Sequence, residues 1–260
     1  MPSWTAFPHP GTYRHDADSV AREWGRLHAG DSEPLPHDER VLAAWVQYHN
    51  GEFEQAAQAG LAVGGAGVTV ANKATCIYAN YLEPNEKTRL ELFQAAAQRA
   101  ERQARDDPAN PNAWYWQAYA VGRYSQAVSV AKALAQGLGG KVKECLERTI
   151  ALQPQHADAH LGLGAFHAEV IDKVGSLIGS MTYGAKKETG LQFFADALRL
   201  NPRSAIVLIE FANGLVRLEG EKNMKEAARL YQQAAALEPL DAKEWLDVET
   251  AARHCAIARA

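Results

Sequence analysis

Three histidines, His156, His160 and His167, stand at i, i+4 and i+11 in a stretch of helical periodicity, with Asp158 and Glu169 nearby. Imidazoles one turn apart can share a metal ion, but the third lies two turns farther on, and neither an HExxH pattern nor a cysteine pair completes a zinc site. The stretch "AQGLGGKVKE", Ala135 to Glu144, invites phosphate chemistry instead, because glycines precede a lysine as they do in a nucleotide-binding loop. A Walker loop needs glycine where Ala135 stands and a hydroxyl where Val142 stands, and it follows a buried strand. Here the preceding "SQAVSVAKAL" reads as helix, with Val128, Ala131 and Ala135 at helical spacing. The glycines are therefore expected to reverse the chain between two helices, with Lys141 opening the second. No Ser-His-Asp or Cys-His grouping marks a nucleophile, and the scattered carboxylates read as solvated helix faces. These residues lead us to expect no catalytic group, no cofactor and no metal: His160 and His167 fall on packing positions and read as partly buried, hydrogen-bonded side chains, with metal binding by His156, His160 and His167 as the lesser alternative.

The elements that must position any site are bounded by composition. The chain has 260 residues, 27 basic and 31 acidic, for a net charge of −4, which argues for neither nucleic acid nor an acidic membrane surface as partner. Cys76, Cys145 and Cys255 are far apart and odd in number, so a disulfide scaffold is disfavoured and a reducing compartment fits. The opening "MPSWTAFPHPGTYRHDADSV" lacks the pattern of an export signal, and no apolar run reaches the ~20 residues that span a bilayer. A soluble cytoplasmic protein is the expectation.

Periodicity is helical throughout, and Pro or Gly marks the breaks. Three segments share an ending: "CLERTIALQP", "FFADALRLNP" and "YQQAAALEP" each close an amphipathic helix at Pro154, Pro202 or Pro239, and each precedes another helix. The pattern resembles the tetratricopeptide repeat (TPR), a helix-turn-helix unit with small residues where the helices touch and proline near the end. Ala227, Tyr231, Ala234 and Pro239 match the last unit, and Gly164, Gly190, Phe194, Ala197 and Pro202 the one before. Gly51, Phe53 and Ala56 mark a weaker first unit, where Gly60 replaces the usual aromatic, and in the third unit Thr149 replaces an alanine.

On this register residues 1–36 carry one amphipathic helix, with Val20, Trp24 and Leu27 on its face behind caps at Asp18 or Ser19, and "AGDSEPLPHDE" is a linker. Five units begin near His37, Ala71, Pro111, Ala157 and Ala205, and residues 242–260 form a capping helix. The expected fold class is all-α: a right-handed superhelix of antiparallel helix pairs with two enlarged hairpins. The enlargements, "YSQAVSVAKALAQGLGGK" and "VIDKVGSLIGSMTYGAKKE", are apolar, so they are expected to lengthen the paired helices and fold a wall over a groove or against a second subunit.

The order of segments from about Val70 to Leu246 is similar to the repeat domain of the regulator of microtubule dynamics proteins and of the T component of TRAP transporters. That resemblance implies helper and scaffold roles, in some members with apolar ligands, and supplies no catalytic motif. The repeat family lines its concave face from the first helix of each unit. Here this implies Tyr115, Tyr119 and Arg123, then Leu161 and Glu169, then Ile209, Asn213 and Arg217. Only Asn213 fits the Lys and Asn pattern of chaperone-tail clamps. The leading expectation is a bacterial-type, non-enzymatic scaffold that holds a peptide or protein segment in this groove. The alternatives are a carrier of a small apolar ligand such as a lipid or fatty acid, and a masked metal protein or enzyme.

Overall fold

A computed structural model describes residues 4–257. All regular structure among them is helical: α1 (Ala17–Leu27), α2 (Glu39–His49), α3 (Phe53–Val63), α4 (Gly67–Tyr81), α5 (Glu86–Asp106), α6 (Pro111–Ala127), α7 (Val130–Ala135), α8 (Leu138–Leu152), α9 (Ala157–Val174), α10 (Ser176–Tyr183), α11 (Lys187–Leu200), α12 (Ala205–Glu219), α13 (Met224–Ala235) and α14 (Ala242–Ile257), with one 3-10 turn at Gly220–Asn223. Two compact units divide the chain. The first holds residues 4–28, 33–153 and 240–243, and the second holds Ala29–Ser32, Pro154–Pro239 and residues 244–257.

In the first unit, α2 packs on α3, α4 on α5, and α6 on α8. Asp38, Asn85 and Asn110 start α2, α5 and α6 by accepting backbone N–H groups that have no intrahelical partner. The start of α1 differs from the sequence expectation: the cap is Asp16, not Asp18 or Ser19. Ser19 N donates to the Asp16 carboxylate and Asp16 N to the Ser19 hydroxyl, both at 2.8 Å. This reciprocal box needs its two side chains three residues apart, which fixes Asp16 as the cap. The segment after α1 is also more than a solvated linker. The Trp24 indole donates to Glu33 O at 2.7 Å, and Asp31 is only 1% exposed.

The enlarged hairpins extend α6 through Ala127 and α9 through Val174, and then set a separate short helix in each connection. After α6, Val128 is extended, and the Ser129 hydroxyl accepts from Lys132 N to start the separate α7. Gly137, at φ +64°, then turns the chain into α8. Gly139, Gly140 and Lys141 lie inside α8, so Gly137 alone makes the turn and Lys141 does not open the helix. Val128 also drops out of the helical spacing that links it with Ala131 and Ala135, because a serine hydroxyl that bonds its own backbone competes with helix continuation. The second enlargement follows the same plan, with α10 set between Gly175 (φ +80°) and Gly184 (φ +67°).

The second unit pairs α9 with α11 and α12 with α13. Its core depends on close approach. Phe194 of α11 is fully buried, and a Cβ at Gly164 or Gly214 would lie 2.9 or 2.2 Å from its ring. Ala251 of α14 joins Ala227, Leu230 and Ala234 in a neighbouring cluster, so the last helix covers the α12–α13 pair. In the first unit a Cβ at Gly60 would lie 2.4 Å from Gly67 O. The residue that departs from the aromatic pattern is thus the one that lets α3 and α4 touch. Thr149, in the alanine position, is buried and donates to Cys145 O at 2.9 Å and Pro111 O at 3.3 Å.

Replacing Gly214 by alanine should cost about 3 kcal/mol, because the ring it meets is sealed on all sides. Gly25 on α1 has nothing within 4 Å of its Cβ position, and Gly25→Ala should gain about 0.5 kcal/mol from helix propensity. Denaturant unfolding of both variants measures the contrast, and equal midpoints would refute the close-approach account.

Candidate functional site

On α6 the sequence spacing places Tyr115, Tyr119 and Arg123 one turn apart, and the structure brings them together. Tyr115 is 8% exposed, and its ring centroid lies 5.0 Å from Trp116 and 6.3 Å from Tyr119. The Arg123 guanidinium sits 5.3 Å from the Tyr119 ring centroid, a cation–π contact, and Nη1 donates to Gln126 Oε1 at 3.2 Å. Tyr119 and Arg123 are half-buried rather than sealed. Burial raises the Tyr119 pKa above its usual 10.0, while Arg123 and Lys243 pull it down. The hydroxyl is neutral at ordinary pH and available as a donor.

Neither α4 nor α6 contains an Asp or Glu. Arg99 of α5 donates to Asn72 Oδ1 at 2.7 Å and Thr75 Oγ1 at 3.0 Å on α4. Asn72 passes the network on to Gln103 at 3.2 Å, and Gln103 donates to Thr69 at 2.9 Å. Burial lowers the Arg99 pKa, which still leaves the guanidinium charged among neutral oxygens. Arg99 thus places one positive charge between α4 and α5.

In the second unit the expected residues separate into two kinds. Leu161 (7% exposed) and Ile209 (3%) are packed into hydrophobic clusters. Glu169 pairs with Lys173 at 2.6 Å, Asn213 accepts the Tyr231 hydroxyl, and Arg217 is exposed.

The three histidines engage the backbone. His156 caps α9, its Nδ1 accepting from Ala159 N at 3.1 Å. His160 Nε2 is 3.1 Å from Pro154 O, and His167 Nδ1 accepts from Lys186 N at 3.0 Å. His167 also stacks on Phe193, with ring centroids 5.8 Å apart. Among the described residues no group of three or more His, Cys, Asp or Glu side chains is arranged to hold a metal ion. Cys76 and Cys145 are buried, and burial pushes both thiols up to about 12, so they are poor nucleophiles.

Sequence reasoning missed one buried cluster of titratable and aromatic side chains. His49 of α2 is fully buried, and its Nδ1 lies 2.7 Å from Asp241 Oδ2. His15 Nε2 is 3.0 Å from Leu240 O beside it. Lys73 of α4 places its ammonium 5.3 Å from the Trp45 centroid and 5.2 Å from the Tyr48 centroid, and the His28 ring lies 5.3 Å from that of His49. Burial is the main cause that lowers the His49 pKa; Asp241 opposes it, while Lys73 and His15 reinforce it. The neutral ring therefore donates Nδ1–H to Asp241, as in a catalytic dyad. His49 Nε2 has no partner among the described residues, but it is closed off by protein, so the dyad secures the returning segment 240–243 rather than serving a substrate. A Trp, Tyr and His spaced along "WVQYH" were legible, but their partner lies 192 residues away.

Residues 68–255 match the family described as Regulator of microtubule dynamics protein 1-3, and the chain belongs to that family. No curated protein matches it. Among solved structures, a thermophilic TPR protein from Thermus thermophilus is similar in fold, with a TM-score of 0.58 at 13% identity over 83% of this chain and 98% of that one. The chain is thus a TPR-like helical repeat protein. No helix among its described residues is long and apolar enough to cross a membrane.

The His49 contact predicts a pH dependence. A histidine whose folded pKa lies below its unfolded value of 6.5 takes up protons on unfolding, so its contribution is complete above that value and is lost as pH falls through it toward the folded pKa. Urea midpoints should fall between pH 7.5 and 5.5 in the parent chain, and His49→Gln should flatten that slope. Identical slopes in the two proteins would rule His49 out as the cause.

Proposed function

We propose, from the premise of this family and its TPR-like hairpins, that the chain is a non-catalytic scaffold whose first unit holds a protein or peptide segment on the α6 face carrying Tyr115, Tyr119 and Arg123. The observation that carries this reading is the Tyr119–Arg123 pair: a guanidinium 5.3 Å from an aromatic centroid, half-buried, on a helix without acidic residues. Tyrosine and arginine are side chains on which binding energy concentrates, and Tyr115 supplies a rigid wall beside them. Lys243 acts on the same hydroxyl, so an apolar anchor followed by an acidic group suits the face. Glu169, Asn213 and Arg217 are proposed as separate polar contacts in the second unit, while Leu161 and Ile209 support them from within.

A further observation favours a protein partner over a small apolar ligand. On α10, Leu177, Ile178 and Met181 are 74%, 57% and 81% exposed. Neighbouring exposed apolar side chains of this size mark contact surfaces more often than solvated loops.

A photo-reactive phenylalanine analogue at position 119 should capture a discrete protein in cells, whereas the same group at Leu61, exposed on α3, should not. Tyr119→Ala and Arg123→Ala should each weaken binding of that protein by about 10-fold without lowering thermal stability. Parental affinity in both variants would remove the site. Native mass spectrometry showing a bound small apolar mass would favour the carrier function instead.

A further inference from the structure

The stretch Ala135–Glu144 has a role that neither the nucleotide motif nor the scaffold reading explains. From Gln136 to Glu144 it supplies one wall of an open surface cavity of about 530 Å³ in the first unit, with Gln98 and Glu101 of α5 and Gln117 and Val121 of α6 opposite. Gln117 and Val121 are one turn apart and lie two residues out of step with Tyr115 and Tyr119, which places them on the other side of α6. This cavity is therefore separate from the proposed protein-binding face.

One pole of the cavity donates hydrogen bonds. The cap of the 15-residue helix α8 is Gly137, which has no side chain to offer, so the first-turn amides lack a side-chain cap. Leu138, Gly140 and Lys141 of that turn line the cavity, where the helix dipole adds positive potential to the lysine charge. Gln117 is an independent sign of a ligand. It is 2% exposed and lines the same cavity. Its Oε1 accepts the Cys145 thiol at 3.4 Å, while its Nε2 has no partner among the described residues. That amide nitrogen is left to donate to a molecule in the cavity. The other pole accepts: Glu101 and Glu144 line the cavity, and Glu101 lies 3.5 Å from Lys141 Nζ. Two carboxylates against one ammonium disfavour a bare dianion such as phosphate, despite the phosphate-loop look of the segment.

We propose that this cavity binds a small zwitterion, its carboxylate against the α8 N-terminus, Lys141 and Gln117, and its ammonium against Glu101 and Glu144; free amino acids are the simplest ligands of this class. Gln98 and Gln136 can donate or accept as the rest of the ligand requires.

Calorimetric titration of the full chain with each standard amino acid and with inorganic phosphate tests the site. At least one amino acid should bind saturably below ~10 mM. Its N-acetyl and C-amide derivatives should bind about 10-fold more weakly, as should the parent ligand to Lys141→Met, Glu144→Gln and Gln117→Leu. Tyr119→Ala should leave this binding unchanged, which separates it from the scaffold reading. If Gln117→Leu fails to fold, Lys141→Met decides, since Lys141 is on the surface. Absence of saturable heat with every amino acid overturns the proposal. Equal binding of the N-acetyl form, or of phosphate, overturns it in favour of a bare anion site.

Discussion

The architecture depends on how closely one helix backbone can approach its neighbour. A repeat of two helices buries one face against its partner and another against the next pair, and both contacts cannot be tight if every position carries a side chain. The second unit resolves this around Phe194, whose ring takes the space left by the missing side chains of Gly164 and Gly214. In the first unit Gly60 and Gly67 bring α3 and α4 almost backbone to backbone. Alanines complete the pattern, with Ala197, Ala212 and Ala234 fully buried. Large residues then fill what small ones leave open, as the close packing of a protein interior requires.

Several polar groups in so tight a stack sit where partners are built in. Arg99, Asn72, Gln103 and Thr69 satisfy one another across α4 and α5. His49 and Asp241 do the same for the segment that returns just before the last helix. His156 and His167, which in sequence suggested a metal, instead hold the start of α9 and the entry to α11. In each case the desolvation cost of burying a polar side chain is offset by a bond to a group that would otherwise be unpaired.

The enlarged hairpins have the opposite character. Each inserts a short helix bounded by glycine or serine, and α10 leaves Leu177, Ile178 and Met181 in solvent. Burying those side chains internally would require longer flanking helices, yet Val128 and Gly175 end them. The insertions thus add surface to a scaffold whose interior is already complete. At the start of α8 that added surface borders an open polar cavity, and on α10 it presents exposed apolar side chains.

The all-helical class, the repeat and the pairing of helices were legible in the sequence because they rest on local rules: a 3.6-residue apolar period, small residues at crossing points, and proline after each closing helix. The side-by-side placement of Tyr115, Tyr119 and Arg123 was legible for the same reason, since one helix carries all three. Local boundaries were less so: Ser129 and Gly137 divide what periodicity alone joins, and Asp16 rather than Asp18 caps α1 because its partner Ser19 lies three residues on. Only tertiary structure decided which groove candidates are sealed, as Leu161 and Ile209 are. It alone united His49 with Asp241, and Gln117 with the wall that begins at Gln136. Burial and partnership across 28 to 192 residues depend on how successive helix pairs stack, and that is set by the sum of many contacts, none of which is recorded in the spacing of one segment.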